Sequence, residues 1–186
     1  MPTESEQASR SLEDYRDYLR LLARFHIPTG LKGQFDASDA VQQTLLKAHE
    51  KHGQFRGQTD LELKAWLRAI LARILADASR VNRRRKGDAV RSIEAALDQS
   101  SARLEAFLAS ERSSPSEKVM RAEQTLRLVT ALGQLPADQR AAMELRYLQG
   151  LSVAAVAEQM GRGPESVTGL LYRGMQTLRR LMDGTA

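Results

Sequence analysis

The residues with the clearest chemical potential are cations at the end of a candidate helix. Arg80, Arg83, Arg84, Arg85 and Lys86 place five positive charges within seven residues. Cations at this density can neutralise several phosphates of a nucleic-acid backbone at once. The alternative is a solvated basic tail, because cations at a helix C-terminus also complement the helix dipole.

Patterns for catalysis or metal binding are missing from the sequence. His49 and His52 are three residues apart with Glu50 between them, which is not the HExxH spacing, and no third ligand motif accompanies them. There is no cysteine, no GxSxG motif and no glycine-rich phosphate loop. The sequence therefore predicts no catalytic residue, no metal and no cofactor.

A second stretch with nucleic-acid character lies near the C-terminus. Ser152 is placed to cap a helix, Gly161 to end it in a left-handed conformation and Pro164 to begin the next helix. Two helices joined by such a turn are typical of a helix-turn-helix, whose second helix enters the major groove of DNA. A helical hairpin that only packs is the alternative.

Composition favours a helical protein with a polyanionic partner. The 186 residues carry a net charge of +5, and only 5% are aromatic while 42% are hydrophobic. The N-terminus lacks the apolar core of a signal peptide, and no window approaches a membrane span. We expect a soluble cytoplasmic protein that does not contact a membrane.

Helical periodicity recurs along the whole chain, and no strand pattern of useful length interrupts it. Together with breakers and a Ser/Pro-rich stretch, it predicts an all-α fold of two small helical domains joined by a flexible linker. The predicted domains are 1–87 and 118–186, and the linker is 88–117 with a possible short helix near 102–110. The predicted helices include 36–52, 61–86 and 137–149.

Two segments together resemble bacterial RNA polymerase sigma factors of the extracytoplasmic-function (ECF) type. FRGQTDLELKAWLRAILARILADASRVNRRR, from Phe55, resembles the second conserved region of that family, and DASDAVQQTLLKAH, from Asp36, resembles the helix that precedes it. The stretch from Leu135 to Met182 resembles the fourth region. This resemblance implies a sigma factor that binds core RNA polymerase and directs promoter-specific initiation, and not an enzyme.

The resemblance also assigns roles to residues of the first domain. The helix from Asp36 matches the surface that binds the clamp helices of the polymerase β′ subunit, and the loop from Phe55 matches the segment that captures an unstacked base of the −10 element. The implied polymerase-binding residues are Asp36, Asp39, Gln42 and Gln43. The implied −10 residues are Phe55, Arg56, Arg80, Asn82, Arg83 and Arg84.

In the second domain, the helix from Pro164 matches the reader of the −35 element. Its family usually has Lys, Ser and Arg after the valine, where this chain has Thr168, Gly169 and Leu170. Fewer cations reach the groove, so we expect weaker phosphate contacts and an unusual −35 preference. The implied −35 residues are Arg162, Ser166, Thr168, Gly169, Tyr172 and Arg173.

The polymerase-binding helix departs from the family as well, because Ser38 and Gln43 replace two usual acids. Phosphorylation of Ser38, or of Thr44 nearby, would restore about −1.5 to −2 charges there, so a Ser/Thr kinase is a hypothetical partner. The alternative is that Ser38 only helps to cap the helix.

Partners implied by the family are core RNA polymerase (β′ clamp helices and β flap), promoter DNA and an anti-sigma factor, with a monomer in the free state. The competing interpretation is a helix-turn-helix regulator that binds a palindrome as a dimer.

Overall fold

The computed structural model describes residues 11–27, 35–79, 86–111 and 118–183. Within these ranges the regular elements are all helices, which confirms the all-α class. The chain divides into two compact units, Met1–Leu97 and Asp98–Ala186. Among the described helices, none is both long and apolar enough to cross a membrane.

The first unit is built on three mutually packed helices. A 3₁₀ turn, Leu12–Tyr15, leads into α1 (Arg16–His26), which is followed by α2 (Ala37–Lys51) and α3 (Asp60–Ala78). Large side chains from all three helices fill the space between them, and this burial is the main stabilising term. The largest fully buried ones are Tyr15, Tyr18, Leu19, Leu22, Val41, Leu67, Leu71 and Leu75.

Two buried cations tie α3 to α1. Lys64 is 3% exposed, pairs with Asp60 of its own helix at 2.9 Å and has its Nζ 5.8 Å from the ring centroid of Tyr18 in α1. Arg68 is 8% exposed and donates to the Tyr18 hydroxyl at 2.9 Å. The hydroxyl of Tyr15 donates to the carboxylate of Asp60. Because buried charges are tolerated only when paired, these bonds fix the start of α3 against α1.

The end of α3 lies earlier than predicted. The periodicity predicts a helix as far as Lys86, but α3 ends at Ala78. Ser79 follows, and both its hydroxyl and its amide donate to the carbonyl of Leu75, at 2.7 and 3.1 Å. A serine that bonds back onto the preceding turn in this way competes with helix continuation. The next residues, 80–85, lie outside the described ranges.

The prediction of a linker over 88–117 is wrong for most of its length. Lys86–Glu111 forms one helix, α4, and only 112–117 lie outside the described residues. Two serines sit in the middle of the buried stripe of α4 and hide its apolar periodicity. The buried residues of this stripe are Leu97, Ser100, Ser101, Leu104, Phe107 and Leu108.

The second unit packs its last helix against three others. It contains α5 (Lys118–Gln134), α6 (Ala137–Met143) with a π-helical turn to Leu148, α7 (Val153–Met160) and α8 (Pro164–Asp183). α8 contacts α5, α6 and α7. The core side chains of these helices include Leu128, Leu132, Met143, Val156, Val167 and Leu178.

The helix-turn-helix forms as the sequence predicts. The Ser152 hydroxyl accepts from the amide of Ala155 at 3.2 Å, Gly161 ends α7 with φ of 61°, and α8 begins at Pro164. Ala157 is 3% exposed. A side chain of this size lets α7 and α8 approach closely. The turn between them is set by the local residues Gly161 and Pro164.

Arg103 of α4 forms hydrogen bonds with the turn that precedes the helix-turn-helix. Nη1 of Arg103 donates to the carbonyls of Gln149 (2.6 Å) and Leu148 (3.3 Å). Gly150 follows with φ of 74°, and a Cβ there would lie 3.0 Å from Cζ of Arg103. The carbonyls left free at the end of a helix need such a partner. The second half of α4 is therefore part of the second unit.

Candidate nucleic-acid and polymerase interfaces

An aromatic pair supports the loop that enters α3. The rings of Phe55 and Trp66 lie 5.0 Å apart at 34°, and neither residue is fully buried. A Cβ on Gly57 would come 2.3 Å from Cζ of Phe55 and 2.9 Å from Cβ of Glu62. The Phe55 ring is therefore held between Trp66 and the backbone of Gly57, in a slot that admits no side chain at position 57.

A capping box closes the same loop. The Thr59 hydroxyl accepts from the amide of Glu62 at 3.2 Å, and the Glu62 carboxylate accepts from the amides of Gln58 (2.8 Å) and Thr59 (2.9 Å). The carboxylate also accepts from the Thr59 hydroxyl. These hydrogen bonds, that from the Gln58 amide first, hold the pKa of Glu62 below its ordinary value. The loop is thus fixed at both ends.

Of the residues implied for the −10 element, the structure describes two. Phe55 is half-buried and packs against Trp66, while Arg56 is exposed. Trp66 is half-buried as well. The remaining four, Arg80, Asn82, Arg83 and Arg84, lie outside the described residues.

The residues implied for polymerase binding share the exposed side of α2. Asp36 caps the helix through the amides of Ser38 (2.6 Å) and Asp39 (2.9 Å), and Asp39 accepts from the amide of Asp36 in return. Gln42 and Gln43 are exposed one turn later, and Leu46 beyond them is 57% exposed. Positions three and four apart are neighbours on a helix, so these side chains form one continuous stripe.

Ser38 and Thr44 differ sharply in their surroundings. The hydroxyl of Ser38 accepts from Nη2 of Arg20 at 2.5 Å, and the cap is supplied by Asp36 instead. Thr44 is fully buried, and its hydroxyl donates to the carbonyl of Ala40 at 2.7 Å. The expectation that Thr44 is a phosphorylation site is therefore wrong for this fold, because no kinase reaches a hydroxyl inside the core.

The residues implied for the −35 element lie on the first turns of α8 and beside it. Ser166, Thr168, Tyr172 and Arg173 are exposed, and Gly169 is half-exposed. The Thr168 hydroxyl donates to the carbonyl of Pro164 at 2.9 Å, and the Tyr172 hydroxyl accepts from Gln176 at 2.7 Å. Two of the polar groups that face away from the core are thus already engaged within the helix.

Arg162 has a partner that the sequence does not reveal. Its guanidinium lies 2.5 Å from the carboxylate of Asp138, which stands 24 positions earlier in α6. Both side chains are substantially exposed. An exposed ion pair of this kind is worth little to stability, at most about 1 kcal/mol. It does hold Arg162 at the turn between α7 and α8.

The region that carries these last residues matches a known family. Residues 125–178 match the model described as Sigma-70, region 4. SigL of Mycobacterium tuberculosis, an ECF RNA polymerase sigma factor, is 31% identical over 166 residues, which is 89% of this chain and 84% of SigL.

The chain belongs to the ECF family of RNA polymerase sigma factors.

A second relative, the ECF RNA polymerase sigma factor BldN of Streptomyces coelicolor, is 30% identical over 83% of this chain, which spans only about half, 53%, of BldN. Among solved structures, an RsbN–BldN complex matches 96% of this chain and 93% of that chain at 24% identity, with a TM-score of 0.35. As a sigma factor, the chain directs transcription initiation and is not an enzyme.

Proposed function

We propose that this sigma factor grips its promoter at two places. The loop from Phe55 to Thr59 takes part in opening the −10 element, and the first half of α8 reads the −35 element. The fixed aromatic slot of Phe55, Gly57 and Trp66 carries this proposal. A base leaves the duplex only where a preorganised surface replaces its stacking.

In this proposal, Phe55 and its neighbour Arg56 have different roles. The Phe55 ring already packs against Trp66, with the two ring planes tilted by 34°, so in this proposal it forms the floor of the site. Exposed Arg56 supplies the adjacent positive charge for the strand backbone. Arg80, Arg83 and Arg84, with the amide of Asn82, extend this contact in the same proposal.

Docking to the polymerase is the second part of the proposal. The stripe of Asp39, Gln42, Gln43 and Leu46 on α2 combines charge, amides and an exposed apolar side chain. A surface of that mixture fits the β′ clamp helices, whose basic character the family resemblance implies. The second unit would bind the β flap, and the protein would act in the cytoplasm as a monomer until polymerase binds it.

The two proposed promoter contacts are tested independently, each on a DNA that contains only one promoter element. Holoenzyme reconstituted from core polymerase and the full chain is measured on a −10 fork and on a −35 duplex, each selected by the wild-type holoenzyme. We expect Arg56→Ala to weaken the fork and Arg173→Ala to weaken the duplex. Equal effects of both variants on both DNAs would contradict a two-site grip.

A second candidate property is control by phosphorylation of Ser38. Arg20 already donates to the Ser38 hydroxyl, and a phosphate there would lie on the first turn of α2, where the helix dipole favours negative charge. The added charge would strengthen docking on a basic clamp surface, so a Ser/Thr kinase is a proposed partner. An anti-sigma factor is another, since the relative BldN occurs in a solved complex with RsbN.

A further inference from the structure

A glycine interrupts the part of α8 that faces away from the core. Gly169 lies inside the helix Pro164–Asp183, where glycine is among the least favourable residues. Neither backbone geometry nor core packing requires it. Its φ is not positive, and the three atoms nearest to a Cβ at this position, apart from the adjacent helix backbone, all belong to the side chain of Arg173.

The Arg173 guanidinium lies over the backbone of Gly169. A Cβ at position 169 would be 3.3 Å from Nη1, 3.7 Å from Nη2 and 3.8 Å from Cζ of Arg173. Side chains on a helix lean toward its N-terminus, so residue 173 covers the surface one turn earlier. Gly174 differs, because a Cβ there would come 3.0 Å from the buried Met143 and the small residue serves the core.

Arg173 is also the only cation in the first half of α8. Residues 164–173 read PESVTGLLYR, with a single basic side chain. The Thr168 hydroxyl donates to the carbonyl of Pro164, and the Tyr172 hydroxyl accepts from Gln176. Within residues 164–173 the strongest base-reading group is therefore the planar guanidinium of Arg173, which pairs with O6 and N7 of guanine through two hydrogen bonds.

We propose that Gly169 determines the specificity of α8 by leaving room for this pose of Arg173, which then reads a guanine of the −35 element. The inference rests on the proposed role of α8 at −35. A methyl group at position 169 would lie 3.3 Å from Nη1, so the guanidinium would have to move by a few tenths of an ångström out of this pose. With alanine at position 169, Arg173 would still attract phosphates. Its guanidinium would no longer be held in the orientation that pairs with one base.

The test compares two glycine-to-alanine variants in helices. Gly169→Ala crowds Arg173, whereas Gly133→Ala in α5 meets nothing within 4 Å. Each is reconstituted with core polymerase and measured on a −35 duplex that the wild-type holoenzyme selects from a randomised pool. Neither change is expected to lower the thermal unfolding midpoint, because alanine is the better helix former. Loss of binding therefore cannot be attributed to unfolding.

We expect Gly169→Ala to weaken the selected duplex about tenfold, the size of one good bidentate base contact, and Gly133→Ala to leave it unchanged. Replacing the guanine that Arg173 reads should weaken wild type by the same factor but leave Arg173→Ala unaffected. If Gly169→Ala behaves like Gly133→Ala while Arg173→Ala loses affinity, the inference about Gly169 is wrong and the −35 role stands. If Arg173→Ala also binds like wild type, or no duplex is selected, the −35 role of α8 fails with it.

Discussion

Phe107 of α4 packs its ring against that of Tyr147, with the centroids 4.7 Å apart. Phe107 is 7% exposed and, with Leu108, Leu128, Leu178 and Met182, lines a small apolar cleft of about 140 Å³. The contact joins α4 to the turn before the helix-turn-helix. The second unit therefore extends beyond the stretch 125–178 that matches the family model.

Truncation of this ring should destabilise the second unit. We expect Phe107→Ala to lower the free energy of unfolding by about 3 kcal/mol, through lost burial and an enlarged cavity. Glu105→Ala, which changes an exposed residue of the same helix, should have little effect. Urea denaturation measures both. Equal stability of the two variants would mean that α4 does not belong to the folded unit.

The sequence predicted the ends of elements best where one residue type controls the backbone. Ser152, Gly161 and Pro164 each set a helix boundary locally, and the structure agrees at all three. Within α4 the sequence predicts only a possible short helix near 102–110, because Ser100 and Ser101 occupy buried positions of its stripe. A serine carries no apolar signal, so the periodicity looked interrupted. The packing that buries these hydroxyls lies in tertiary structure, which a local pattern cannot report.

The candidate site shows the same difference between features that local sequence sets and features that tertiary packing sets. The exposed positions on α8 lie opposite Val167, Leu170, Leu171 and Leu178, whose helical spacing is visible in the sequence. The hydrogen-bond and ion-pair partners of the candidate side chains cannot be predicted from such a local pattern. Arg20 lies 18 positions from Ser38 and Asp138 lies 24 positions from Arg162, so both pairs depend on how helices pack. Gly57 was part of a motif, but its close approach to the Phe55 ring is visible only in the folded loop.

The aromatic slot gives a prediction about promoter opening. Gly57→Ala would drive the Phe55 ring away from Trp66, because the added Cβ overlaps the ring at 2.3 Å. We expect opening of the −10 element to fall about tenfold, the order of one base-stacking contact. Permanganate reactivity of unpaired thymines measures it. Gly53→Ala is the matched control, since its Cβ meets nothing within 4 Å. If the two variants open DNA equally well, the slot is not part of the melting site.

The capping box predicts a pH dependence of stability. The pKa of Glu62 is lowered in the folded protein relative to its ordinary value of 4.5. Its stabilising effect is therefore complete above pH 4.5 and is lost as the pH falls through the lowered folded pKa. In Glu62→Gln, thermal unfolding midpoints should fall less steeply between pH 5 and pH 3 than in wild type. Identical slopes in wild type and Glu62→Gln would exclude the Glu62 carboxylate as the source of the pH dependence.

Charge at Ser38 should change polymerase affinity. We expect Ser38→Asp to bind core polymerase about twofold to fivefold more tightly than Ser38→Ala, the range of one exposed charge contact. The difference should shrink in high salt, because exposed charges are screened. Ser166→Asp adds the same charge on α8 and serves as the control in fluorescence titrations of labelled core enzyme. A difference of the same size at Ser166 would point to net charge and not to this surface.

Transcription in vitro tests the central claim most directly. Core RNA polymerase is incubated with the full chain and a library of promoter fragments, and RNA start sites are mapped. We expect initiation only when the protein is present, from fragments that share a −10 and a −35 element, with the Gly57→Ala and Arg173→Ala variants impaired at the respective element. Tight binding of the protein to palindromic DNA as a dimer, without any initiation from core polymerase, would contradict the account.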